Sequence, residues 1–189
     1  MIKIAVVGDI GSGKSHIAKL FGHPVFNADQ EVASIYKKNK NCFKRLKKIL
    51  PKYFSVFPAN KIQIIKAIED SERNLEKITK IIHPEIRKKL LTFLKKNKKR
   101  KMVVLDVPLL LENKLNKKSD IIVCIQSKKS EIIKRLKKRD NFNLNLYNQF
   151  KKMQLPLSYK KKKANHIIKN NFTDKLVKIS VKKILKKII

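Results

Sequence analysis

The segment Gly8-Asp9-Ile10-Gly11-Ser12-Gly13-Lys14-Ser15 meets the pattern G-x-x-x-x-G-K-[S/T] in full. Its chemistry is a grip on polyphosphate. Glycines let the backbone wrap closely around phosphate oxygens, with successive N–H groups turned inward as a nest. A helix starting at the lysine adds the partial positive charge of its N-terminus. In this pattern Lys14 reaches the β- and γ-phosphates of a nucleoside triphosphate, and the Ser15 hydroxyl ligates Mg²⁺. Gly8, Gly11 and Gly13 are three of only four glycines in the chain, so a glycine-rich turn that matches by accident is a poor explanation.

The loop does not name the reaction, since regulatory GTPases, motor ATPases and small-molecule kinases all use it. The guanine-reading string N-K-x-D has one near match, Asn116-Lys117-Lys118-Ser119-Asp120. There the Asp comes one residue late and precedes a strand instead of following it, which argues against a GTPase. Arg135 and Arg139 stand four apart in a basic, polar region. That spacing sets two cations on one helix face, fit to neutralise a transferring phosphoryl group under a closing lid, or else simply solvated.

The elements that must position these groups alternate between strand and helix. Ile2–Val7 is a short apolar run ending at Gly8, the pattern of a buried parallel strand, and a helix is expected over Lys14–Leu20, closed by Gly22 and Pro24. A short strand is expected at Pro24–Phe26. Helical spacing of apolar residues runs from Glu31 to Leu50 and from Ile62 to Leu94. Strands follow at Met102–Val107, stopped by Pro108, and at Ile121–Ile125. Next come a helix over Lys129–Lys138, a polar Asn-rich stretch from Asp140 to Asn148, a strand at His166–Ile168 and an amphipathic helix over Thr173–Ile189. The expected class is α/β, a parallel sheet flanked by helices, in one domain.

Composition limits the function classes. In 189 residues, 48 Lys and Arg face 14 Asp and Glu, a net charge of +34. Dense positive charge is the mark of polyanion binding. However, only six of the basic residues are Arg, the residue favoured for gripping phosphate and base edges, and the Lys residues are spread along the whole chain. Lys, Asn and Ile are over-used together, which points to compositional bias and not to nucleic-acid recognition. No apolar run has the length of a membrane span, and no secretion signal opens the chain. Cys42 and Cys124 stand far apart in apolar context and form neither a disulfide framework nor a metal cluster. A reduced, cytoplasmic protein is expected, with no specific nucleic acid and no membrane as partner.

Beyond the loop, the residues resemble the dephospho-CoA kinases of coenzyme A biosynthesis. That family is similar in the phosphate loop, where a second Gly is usual at Asp9 and Thr at His16. Its Asp-Ala-Asp string resembles Asn27-Ala28-Asp29, and its His-Pro pair after a Leu/Glu-containing helix resembles His83-Pro84 after Leu75-Glu76. Its Val-Pro-Leu-Leu-x-Glu string stands intact as Val107–Glu112. Its Arg-x-x-x-Arg-Asp lid pattern is similar to Arg135 with Arg139-Asp140, and Gln154, Ala164 and Asn170 fall at the family's spacing. The resemblance covers residues 2 to about 172 in order.

The resemblance implies a P-loop NTPase fold with a helical acceptor-binding region near 30–95 and a lid near 136–162. It implies transfer of the ATP γ-phosphoryl group, with Mg²⁺, to the ribose 3′-hydroxyl of dephospho-CoA. Asp29 is then the general base, or the carboxylate that orients the hydroxyl and helps hold Mg²⁺; an N-cap role is compatible with either. Asp106 is a metal-linked carboxylate at a strand end or a buried structural acid. Lys14 and Arg139 act on the transferring phosphoryl group, with Arg135 in support. Gly8, Gly11, Ser12, Gly13, Ser15 and His16 belong to the nucleotide site. Asn170 is an adenine neighbour or a turn residue, and His83 either organises the acceptor pocket or packs at a helix end. Asn27, His16, Lys160, Lys169 and Phe172 depart from the family pattern. The rival readings are another nucleoside or small-molecule kinase on this scaffold, a basic nucleic-acid-binding ATPase, and membrane-surface attachment through Lys178–Ile189. In that last segment Ile179, Ile184, Leu185 and Ile188 are expected instead to cover the sheet.

Overall fold

A computed structural model describes residues 1–139 and 142–188. The element order is β1 (Ile2–Gly8), α1 (Lys14–Leu20), β2 (Val25–Asn27), α2 (Ala28–Lys38), α3 (Lys40–Ile49), α4 (Lys61–Asp70), α5 (Glu72–Lys96), β3 (Met102–Asp106), β4 (Ile121–Gln126), α6 (Lys129–Lys137), α7 (Leu144–Lys152), α8 (Leu157–Lys163), β5 (His166–Lys169) and α9 (Asp174–Ile188). The chain forms two compact units, one made of Met1–Asn27 with Asn97–Ile189, the other of Ala28–Lys96.

The first unit is built on a five-stranded sheet in the order β2-β3-β1-β4-β5, and every pairing is parallel. β1 lies at its centre, which is why its sequence is apolar at every position but Lys3: both edges are paired, and from Ile4 onward the strand is buried. Ile4 and Val6 point to one face, where they pack with Val104, Val123, Ile125 and Ile168 of the neighbouring strands. Ile17, Ala18 and Phe21 of α1 and Val177, Val181 and Ile184 of α9 close that face. Leu185 and Ile188 pack at the margin of this core as expected, but Ile179 faces solvent. Val177 and Val181 carry the buried stripe in its place because they share the α9 face of Ile184. No helix among the described residues is long and apolar enough to cross a membrane.

The second unit is helical. The periodic run from Glu31 to Leu50 is two helices, because Asn39 leaves helical geometry (φ −94°) and caps α3 by accepting a hydrogen bond from Cys42 N at 2.9 Å. The run from Ile62 to Leu94 is likewise divided at Ser71, which is extended, while Asn60 and Gln63 form a reciprocal capping box at the start of α4. His83-Pro84 does not end a helix: Pro84 lies inside α5, which continues to Lys96. His83 is exposed there, so the packed, helix-ending role does not hold.

Back in the first unit, the Asn-rich stretch contains a helix start. Asn143 accepts from Leu146 N at 3.0 Å and opens α7. Helix α8 packs against β1 and β4 and carries Lys160, which is 1% exposed, with Nζ 3.0 Å from Glu112 Oε1. The same carboxylate oxygen accepts from Leu155 N at 2.9 Å. A buried ion pair of this kind contributes little net stability but is costly to break on one side. Lys160→Met is expected to cost about 3 kcal/mol in urea denaturation, by leaving a buried carboxylate without its counter-ion. Lys160→Met/Glu112→Gln, which discharges the carboxylate and keeps an acceptor for Leu155, should recover most of that loss.

Candidate functional site

The phosphate loop leaves the C-terminal end of β1, in the middle of the sheet, where parallel α/β folds place their ligands. Two glycines are required by geometry. A side chain on Gly8 would bring its Cβ to 2.6 Å from Ile125 O. Gly13 (φ 89°) is the N-cap of α1, and a Cβ there would meet the Asn170 amide nitrogen at 2.5 Å. Gly11 completes the loop between them, and Ser12 N donates to Asp9 O at 3.1 Å to close the turn.

Lys14 is 8% exposed and lies back along the loop, its Nζ donating to Gly8 O at 3.2 Å and Asp9 O at 2.8 Å. This holds a full positive charge beside the inward-facing backbone. Ser15 and His16 follow in the first turn of α1, both exposed. His16 Nε2 is 3.0 Å from Asp174 Oδ1, which couples the first turns of α1 and α9.

Asn170, expected beside adenine or in a turn, is 6% exposed and committed to two loops. Its Nδ2 donates to Ser12 O at 2.8 Å, and its Oδ1 accepts from Phe172 N at 2.8 Å. The Ser12 carbonyl also accepts from Ser127 Oγ at 3.2 Å. Ser127 was missed in the sequence; directly after a strand and ahead of a helix, it reads as an ordinary cap. Arg135 in α6 places its guanidinium carbon 4.4 Å over the ring of Phe172, a contact whose sequence signal was only a departure from a family pattern. Arg139 lies beyond α6, in a turn where its N–H donates to Leu136 O, so the two arginines do not share one helix. The helix stops at Lys137. Asp140 lies outside the described residues.

Asp106 ends β3 opposite Val6 and Asn27, only 2% exposed, and its Oδ2 accepts from Asn27 Nδ2 at 2.6 Å. A buried carboxylate at the C-terminal edge of the strand beside β1 is compatible with either its structural or its metal-linked reading. Asp29 belongs to the second unit and is exposed in the first turn of α2. Because α2 begins at Ala28, Asp29 is not its N-cap; the carboxylate instead complements the helix dipole from inside the first turn. Among the described residues no three His, Cys, Asp or Glu side chains cluster as a metal site. The oxygen donors of Ser15 and Asp106 fit a hard cation such as Mg²⁺, which keeps waters and substrate phosphates as its other ligands.

Residues weighed for other chemistry stand apart. Asp120 pairs with Lys3 at 2.5 Å and accepts from Lys117 N, at the start of β4 and the opposite end of the sheet from the phosphate loop. It cannot read a base there. Burial, with Glu85 nearby, pushes the Cys42 thiol up to about 11, and burial also raises Cys124. Both thiols stay protonated at neutral pH and are inert as nucleophiles.

The family model described as "CoaE: Dephospho-CoA kinase" matches residues 2–175. A dephospho-CoA kinase of Wolbachia pipientis wMel is 31% identical over 187 residues, covering 96% of this chain and 95% of its own. The crystal structure of TT1252 from Thermus thermophilus superposes with a TM-score of 0.80 at 23% identity, over 100% of this chain and 98% of that one. The dephospho-CoA kinase from Campylobacter jejuni does so with a TM-score of 0.67 at 21% identity, over 98% and 96%. These two structures establish the shared fold.

The tight approach at the N-terminus of α1 gives a direct test. Gly13→Ala combines a left-handed backbone with a clash against Asn170, and should cost about 1–3 kcal/mol of stability. Titration calorimetry should show weakened binding of Mg-ATP.

Proposed function

Because the chain belongs to the dephospho-CoA kinase family, we propose that it transfers the γ-phosphoryl group of ATP to the ribose 3′-hydroxyl of dephospho-CoA, giving coenzyme A and ADP. The observation that carries this reading is the family match over residues 2–175, and the complete phosphate loop at the end of β1, with Lys14 buried along it and Asn170 bracing its backbone, supplies the triphosphate grip that it requires. Backbone N–H groups and the α1 N-terminus bind the phosphates, and Lys14 compensates charge on the β- and γ-oxygens. Such fixed cations lower the barrier because they are aligned before charge develops and cost no reorganisation. Arg139 supplies further positive charge from the segment that follows α6, with Arg135 of α6 in support at the bound nucleotide.

Asp29 follows β2 directly in the chain and takes the general-base role. Its carboxylate accepts the proton of the 3′-hydroxyl as that oxygen attacks the γ-phosphorus, and ADP departs. Ser15 and Asp106 would hold Mg²⁺, which when bound neutralises phosphate charge. The exposure of Asp29 favours its meeting an acceptor, and the helical second unit, Ala28–Lys96, supplies the acceptor-binding region. The segment near 136–162 holds the lid that keeps water from the γ-phosphate, the closing part lying ahead of α8, which is held against β1 and β4. The protein works in the cytoplasm on these two small-molecule substrates.

Incubation with Mg-ATP and dephospho-CoA should yield coenzyme A by mass spectrometry. Phosphorylation of a nucleoside without coenzyme A formation would replace this reading with a different kinase. Lys14→Ala should lower kcat by about 10²–10³-fold, the scale for losing one preorganised charge-stabilising donor. Asp29→Asn should leave ATP affinity intact and lower kcat by about 10²–10⁴-fold. Substantial coenzyme A formation by Asp29→Asn would remove that carboxylate from the chemistry.

A further inference from the structure

Phe172 holds a backbone conformation that an aromatic residue rarely adopts. Its φ is +63°, in the left-handed region, at a position between β5 and α9. The conformation is held from outside the residue: Asn170 Oδ1 accepts from Phe172 N at 2.8 Å, and Asn171 Oδ1 accepts from Thr173 N at 3.1 Å. Two successive asparagine side chains therefore pin the loop on either side of the ring. The ring is half-buried, and its Cε1 lies 3.7 Å from the point a Gly13 side chain would occupy, beside the N-terminus of α1. Over the same ring sits the Arg135 guanidinium, at 4.4 Å. Arg135 is itself exposed.

Strain at a loop is retained where something depends on the strained geometry, and the inference runs from the observed outlier to its use. Glycine would hold this φ without strain, but it would present no ring. The strained residue is thus the one that gives an exposed arginine a surface to lie on. A free arginine side chain samples many rotamers, and fixing it on a ligand carries an entropy cost; a guanidinium already stacked on an aromatic face has lost much of that freedom beforehand. We propose that Phe172 is a positioning residue: its ring holds the Arg135 guanidinium beside the N-terminus of α1, so that the cation is in place for the nucleotide bound in the phosphate loop. The proposal rests on the nucleotide-site reading above, and concerns ATP binding and not the transfer step.

The test separates positioning from folding. Phe172→Leu removes the ring but keeps apolar bulk, and Phe172→Gly removes the ring while relieving the backbone. Both should raise the KM for ATP about two- to fivefold, the scale of an exposed cation–π contact, with kcat and the KM for dephospho-CoA unchanged. Phe172→Gly should melt no lower than wild type. Phe172→Tyr, which keeps an aromatic face, should restore the wild-type KM. In an Arg135→Gln background, Phe172→Leu should have no additional effect on the KM for ATP. An unchanged KM in Phe172→Leu, or effects of the two substitutions that simply multiply, would overturn the proposal. The chain contains no tryptophan, so Phe172→Trp installs a single fluorophore at the stack. Its emission should change on titration with ATP and lose that response with Arg135→Gln; emission indifferent to bound ATP would count equally against it. This readout needs no turnover. A wild-type protein that binds ATP but makes no coenzyme A would therefore sink the proposed function while leaving the stack on trial.

Discussion

A single hydrogen bond, from the Asn170 amide to the Ser12 carbonyl at 2.8 Å, joins parts of the chain 158 positions apart. The parallel sheet makes it possible. β1, β4 and β5 run side by side in one direction, so the loops that leave their C-terminal ends are gathered at one edge. The bond also dictates a residue type at its neighbour, because the amide nitrogen occupies the space into which a Gly13 side chain would grow. Its other end fixes Phe172, and Phe172 carries Arg135. The phosphate loop, the start of α1, the loop after β5 and a cation of α6 are thereby linked through one buried side chain. A phosphate loop must be rigid before its ligand arrives, since its N–H groups act through prior alignment. Asn170 and Ser127 supply that rigidity by gripping the Ser12 carbonyl from two sides of the chain.

What could be read from the sequence follows from how far each signal reaches along the chain. β1 and α1 were legible because a buried parallel strand is an apolar run and a glycine-flanked Lys-Ser opens a helix; both signals are contiguous. The fold class and the loop chemistry came from the same short range. The divisions at Asn39 and Ser71 were not legible. Apolar periodicity runs through both points, and a new helix starts there through hydrogen bonds that side-chain oxygens accept from backbone N–H groups two or three residues on, Asn39 from Cys42 and Ser71 from Arg73. α7 was hidden for a related reason: asparagines that look like loop composition include Asn143, which starts a helix. The pairing of Asn27 with Asp106, and of Lys160 with Glu112, depends on elements meeting in space, and no spacing rule connects them.

Asn27 illustrates how a local departure acquires meaning only in three dimensions. In the sequence it replaces one of two acids expected around Ala28. In the sheet it stands in register with Asp106 and donates to its carboxylate at 2.6 Å. Two carboxylates at that separation would resist sharing the site unless a proton or a cation lay between them. With an amide in this position the contact is attractive without help, and the Asp106 carboxyl group has a hydrogen-bond donor in a place almost closed to water. The departure therefore alters the electrostatics at the end of β3 and leaves the arrangement of strands alone.

The net charge of +34 bears on the same distinction between composition and place. Lysine on a solvated surface is a screened point charge with many conformations, and dozens of them create a diffuse field without selecting a partner. Two lysines among the described residues are buried, and each has acquired a defined contact. Lys160 neutralises a carboxylate and ties α8 to the turn after β3. Lys14 is turned onto the carbonyls of Gly8 and Asp9, neutral acceptors that hold an ammonium less strongly than a carboxylate does. Place decides their roles. Lys160 is tied into the packing of α8, whereas the Lys14 ammonium lies along the phosphate loop, beside the N–H groups that meet a phosphate. The chemistry of the site thus comes from where one buried cation lies, not from the abundance of cations around it.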